Sequence, residues 1–113
     1  MDSVFPFQQL DCYVAAREFA RLVQLATIGD SELRDQVTRA AKSVFLNVAE
    51  GLPSRRIGVR RRHFEIARGS LGEAVAGIDL ALALGALSAS RAAELNRVAL
   101  RLALLVGGLL KRR

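Results

Sequence analysis

Residues Gln36 to Gly51, QVTRAAKSVFLNVAEG, carry two stripes at once. Leu33, Val37, Ala40, Ala41, Val44 and Val48 recur at three- and four-residue spacing, which puts them on one face of a helix and makes that face a core face. Arg39, Ser43, Asn47 and Glu50 form a second, polar stripe on a neighbouring side. It is either a solvated face or a layer that hydrogen-bonds across to another helix. Asn47 argues for a specific contact, because a mid-helix Asn competes for backbone groups and is a poor helix former.

The flanking sequence supplies three more helices. The first runs from Asp11, as N-cap, to Thr27, with Cys12, Ala15, Ala16, Phe19, Leu22, Val23 and Ala26 on its apolar face. Gly29 stops it in the left-handed C-terminal position, and Asp30 or Ser31 caps the second helix, residues 31–50, which ends at Gly51 before Pro53. The third spans 59–84, buries Phe64, Ala67, Leu71, Ala74, Ile78 and Ala81, and stops at Gly85. Its glycines at 69, 72 and 77 each cost about 1 kcal/mol relative to Ala, which predicts a close approach of another backbone. Ser70 and Glu73 sit one turn apart and are placed to meet the Ser43, Asn47, Glu50 stripe.

The fourth helix, 90–110, is capped by Ser88 or Ser90 and has a seam of Leu95, Val98, Leu102, Leu105 and Leu109. Ala99, Ala103, Val106 and Leu110 form a second strip, and Leu100 and Leu104 lie further round. That is more apolar surface than one bundle buries, so a homo-oligomer with Leu100 and Leu104 between subunits is expected. Residues 1–9, with Pro6 between Phe5 and Phe7, read as a short extended arm. Short connections make successive helices antiparallel. The fold class is all-α, an antiparallel up-down four-helix bundle in one domain spanning 1–113.

Fifteen arginines and two lysines against eleven acids leave a net charge of +6. The excess is concentrated at Arg55, Arg56, Arg60, Arg61 and Arg62, with no acid among them, and at Lys111, Arg112 and Arg113. Such runs are solvated surface or a patch for an anionic partner. With Lys42, the first run is placed to track a phosphate backbone of RNA or DNA. Apart from Phe64, assigned to the core, the region offers no aromatic ring, so readout by base stacking is not expected. The alternative is an interaction scaffold or adaptor for an acidic protein.

The single cysteine excludes an internal disulfide and fits a reducing compartment, the N-terminus lacks the pattern of a signal peptide, and the longest uncharged stretch, Leu80 to Ser90, is too short to span a bilayer. A cytoplasmic protein without membrane association is expected. No catalytic residue, metal site or cofactor is expected either. His63, the only histidine, sits among arginines that repel a cation, and no glycine-rich phosphate loop is present. Glu50 and Glu73 form the one conceivable carboxylate pair, for which a structural role with Arg39 as counter-charge is preferred.

The string RAAKSVFLNVAEG (Arg39 to Gly51), the basic loop, and FEIARGSLGEA (Phe64 to Ala74) resemble the four-helix-bundle family encoded in intervening sequences of bacterial 23S ribosomal RNA. That family is itself similar to the accessory variability proteins of diversity-generating retroelements. The resemblance runs from Leu10 to Leu110 and implies a homopentameric bundle for which nucleic-acid binding is proposed. Its matched positions include Arg39, Ser43, Asn47, Glu50 and Gly51 in the second helix and Phe64, Gly69, Ser70 and Glu73 in the third, and they look structural. Tyr13 stands where the family often has a larger aromatic.

Overall fold

The computed structural model describes residues 5–111. Four helices, α1 (Asp11–Leu25), α2 (Ser31–Gly51), α3 (Ile57–Ala83) and α4 (Ala89–Lys111), follow a 3-10 turn at Pro6–Gln9. The connections 26–30, 52–56 and 84–88 are too short for anything but antiparallel neighbours. The helices pack in cyclic order, with α4 closing on α1, and α2 against α3 is the most extensive pairing. No strand occurs among the described residues. The molecule measures 44 × 29 × 20 Å, its long axis matching about 40 Å for α3 at 1.5 Å per residue.

The core is built from the stripes that the spacing predicts. Every apolar residue named for α2 and α3 is buried, and on α1 only Leu22 is left half-buried. Phe19, Phe64, Ile28, Ile78, Leu95 and Leu102 are the largest fully enclosed side chains, interleaved with buried alanines at 16, 41, 67, 74, 81 and 92. On α4 the inward direction lies between the two expected strips. Leu95, Ala99, Leu102, Val106 and Leu110 are buried, and Val98, Leu105 and Leu109 are half-buried. Leu100 and Leu104 remain 64% and 70% exposed.

Several local expectations change. The 3-10 turn replaces the extended arm at 6–9, while residues 1–4 of that arm lie outside the described residues. The turn is held by a ring ladder in which Phe7 stands edge-on to Tyr13, and Tyr13 to Phe45 of α2. Leu10, not Asp11, occupies the α1 N-cap, leaving Asp11 in the first turn where its charge complements the helix dipole. At the end of α1 the left-handed residue is Thr27 (φ 53°), not Gly29. Gly29 instead donates its amide to Ala86 O at 2.8 Å, which ties the 26–30 loop to the 84–88 loop.

Asp30 caps α2 through Leu33 N, and Ser88 caps α4 through Arg91 N. Gly85 (φ 74°) ends α3 as expected, with its amide bonded to Leu82 O and that of Ala86 to Ala81 O, the paired bonds of a Schellman cap. Of Gly69, Gly72 and Gly77 on α3, only Gly77 meets a neighbour, and that neighbour is a side chain. A Cβ there would lie 2.5 Å from Val37 Cγ2, whereas Gly69 and Gly72 face open space. Gly51 stays within α2 rather than turning left-handed, and a Cβ on it would come within 2.7 Å of the Phe64 ring. One glycine at each end thus lets α2 and α3 approach.

Candidate nucleic-acid interface

The loop 52–56 and the start of α3 carry five arginines, and the fold divides them into two groups. Arg60 is half-buried and turns back on α2. Its Nη1 donates to Leu52 O and, at 3.1 Å, to Ser54 O, with a longer contact to Gly51 O at 3.4 Å, and its guanidinium lies 5.4 Å from the Phe64 ring centroid. A cation on the last carbonyls of a helix satisfies orphan acceptors and opposes the negative end of the dipole. Arg61 does the same for another helix, donating from Nη1 to Leu110 O at 2.9 Å. The 52–56 loop is therefore fastened by an arginine of α3.

Arg55, Arg56 and Arg62 form the other group. They are exposed and make no side-chain hydrogen bond or ion pair with the described residues. Three of the other surface arginines are paired within their own helix, Arg21 with Glu18, Arg68 with Glu65 and Arg91 with Glu94, whereas Arg17, Arg34, Arg39, Arg97 and Arg101 are exposed without an ion pair among the described residues. Lys111 is also exposed, and the Arg61 bond to Leu110 brings the end of α4 beside the start of α3. The 55–62 run and the described part of the C-terminal run, far apart in sequence, thus meet at one end of the bundle. Arg112 and Arg113 lie outside the described residues. Lys42 is exposed on α2, about 13 Å of helix away from Gly51, so it flanks this end rather than joining it.

Beneath the arginines lies a polar layer between α2 and α3. Ser43 Oγ and Ser70 Oγ are 2.8 Å apart, and Asn47 Nδ2 donates to Ser43 O at 2.9 Å. With its amide nitrogen so used, Asn47 offers Oδ1 to His63 Nδ1 at 3.0 Å, which makes Nδ1 the donor. His63 Nε2 faces Glu50 Oε2 at 3.4 Å. Sequence reasoning placed Ser43, Asn47, Glu50 and Ser70 here but missed His63. Its position seven residues before Ser70, two turns along the same face, was the available signal.

Arg39 and Glu73, expected in this layer, are exposed and make no side-chain hydrogen bond or ion pair with the described residues. The register keeps Glu73 away from Glu50. Ser43 opposite Ser70 and Val37 opposite Gly77 put Glu73 well above the level of His63 and Glu50, roughly ten residues or about 15 Å along α3. Glu50 and Glu73 are therefore not brought together as a carboxylate pair. No group of three His, Cys, Asp or Glu side chains suited to a metal ion occurs among the described residues. Burial pushes the Cys12 thiol up to about 11, which keeps it protonated and unreactive at neutral pH. No described helix is long and apolar enough to cross a membrane.

The family model for the 23S rRNA-intervening sequence protein matches residues 8–107. The chain belongs to this family. A member of the S23 ribosomal protein family from Bacteroides thetaiotaomicron VPI-5482, described as a protein with unknown function, has a similar crystal structure. The TM-score is 0.80 over 89% of this chain and 99% of that one, at 17% identity, a likeness of fold. A search of curated proteins finds no match. As a 23S rRNA-intervening sequence protein the chain has a four-helix bundle, with Ser43 and Asn47 in RAAKSVFLNVAEG and Ser70 in FEIARGSLGEA.

Proposed function

We propose that this chain is a non-enzymatic, homo-oligomeric cytoplasmic bundle that binds RNA or another nucleic acid through the basic end formed by the 52–56 loop, the start of α3 and the end of α4. The observation that carries the reading is the meeting of two basic runs at a single end, with Arg55, Arg56, Arg62 and Lys111 free of acidic partners among the described residues. Unpaired, exposed guanidinium groups on a fastened loop are suited to phosphate oxygens, which Arg binds bidentately. Arg60 and Arg61 hold the surface in shape. Repetition around an oligomer, a pentamer as the family resemblance implies, lets modest contacts add through effective concentration. Leu100 and Leu104 are the residues we assign to subunit contacts, being the most exposed large apolar side chains of α4.

The test is affinity for a short RNA and a DNA duplex over a salt series with nuclease-treated protein. Binding should weaken with a log-log slope of about −0.7 to −0.9 per neutralised phosphate. Arg55→Glu with Arg56→Glu should lower both affinity and slope without lowering the melting temperature. Absence of binding at low salt refutes the reading and directs attention to an acidic protein partner.

A further inference from the structure

The basic end also carries an aromatic ring that the nucleic-acid reading has not used. Phe5 is 59% exposed, the only exposed aromatic among the described residues. It is not a loose side chain. Its amide donates to Gln8 Oε1 at 2.9 Å, and Gln8 N returns a bond to Phe5 O at 3.0 Å. Its ring lies nearly parallel to that of Phe7, with centroids 5.9 Å apart and planes at 25°. Phe7 continues through Tyr13 to Phe45, so the ladder is anchored on α1 and α2 and ends outward at Phe5. Up-down topology puts this turn at the pole where α2 ends and α3 starts. A cleft of about 340 Å³, lined by Leu10, Leu52, Arg60, Leu104 and Gly108, joins the start of α1 to the arginine loop.

We infer that the nucleic acid recognised here is single-stranded, with an unpaired base stacking on Phe5 while Arg55 and Arg56 hold neighbouring phosphates. The inference rests on the nucleic-acid reading above and narrows it to a substrate class. A flat hydrocarbon ring left in water at the same pole as exposed cations matches what single-strand binders combine, a π-face for bases and a positive track for the backbone. In a duplex the base faces are already stacked on one another and are closed to Phe5. The ring therefore adds affinity for single strands only, with little preference among bases, because every base has a π-face. The sequence alone argued against stacking, since the arginine run has no exposed ring within it; the fold brings one from the other side of the bundle end.

The experiment compares a short fluorescein-labelled RNA single strand with its duplex, at one salt concentration, for wild type, Phe5→Ala, Phe5→Trp and Arg55→Glu with Arg56→Glu. Wild type should prefer the single strand. Phe5→Ala should lower single-strand affinity about 5- to 100-fold, the effect of losing one stacked base, and leave duplex affinity unchanged, while Phe5→Trp restores it. A 2-aminopurine base in the strand should lose emission on binding wild type and not on binding Phe5→Ala. Unchanged single-strand affinity in Phe5→Ala, with binding still lost in the arginine variant, overturns the stacking inference and leaves the nucleic-acid reading standing. Failure of wild type to bind either probe overturns both.

Discussion

A single hydrogen decides how closely α2 and α3 can lie. Gly77 faces Val37 with no room for a methyl group, yet Gly69, two turns earlier on the same helix, faces open space. Gly69→Ala should therefore stabilise by up to about 1 kcal/mol through helix propensity. Gly77→Ala should destabilise, because overpacking of about 1–3 kcal/mol outweighs that gain. Val37→Ala in the same chain should recover part of the loss, and urea denaturation of wild type, Gly77→Ala, Val37→Ala and the double variant measures the coupling. Cys12 gives a second test at this scale. Its thiol is raised from 9 to about 11 by burial, so the native protein at pH 8 should react with iodoacetamide about 100-fold more slowly than an unfolded control. The sign is that of an acid held in its neutral form. The folded state keeps its proton where the unfolded chain loses it, so Cys12 opposes folding only as pH rises from 9 towards 11 and above.

At the scale of the element, the start of α3 serves as a clamp for two other helices. Arg60 closes the end of α2 and Arg61 the end of α4. Arg60→Ala should cost about 1–2 kcal/mol, since charged hydrogen bonds to partly buried carbonyls are lost, whereas Arg55→Ala should stay within about 0.5 kcal/mol. Thermal denaturation of both variants distinguishes clamp from surface. This division was not legible in the sequence. A run of arginines looks alike at every position, and the Leu110 carbonyl that separates Arg61 from Arg62 lies at the far end of the chain. Periodicity, by contrast, does show which side chains face inward, and it located the core of α1, α2 and α3 because burial and 3.6-residue spacing are one constraint. In sequence His63 reads only as a candidate metal ligand, among arginines that repel a cation, and so not as the partner of Asn47 and Glu50. Nor did periodicity separate Gly77 from Gly69 and Gly72, because what a missing Cβ would touch depends on the helix opposite.

At the scale of the whole molecule, α4 carries more apolar surface than its own bundle covers. Leu100 borders a groove of about 730 Å³ between α3 and α4, lined also by Leu71, Val75, Ala99 and Ala103, and Leu104 borders the cleft on the other side of the helix. Replacing Leu100 and Leu104 with Glu should convert the proposed oligomer to soluble monomers with unchanged helix content. An unchanged native mass by light scattering would refute their placement between subunits. The up-down arrangement has a further outcome. Four antiparallel helices return the chain to the pole where it began, so residues 5 and 111 emerge at the cationic end that also carries the 52–56 loop. An affinity tag or fluorescent fusion on either terminus would crowd the surface that the binding assays interrogate. The opposite pole, where Gly29 fastens the 26–30 loop to the 84–88 loop, is the place to open a circular permutant whose new ends leave that surface bare.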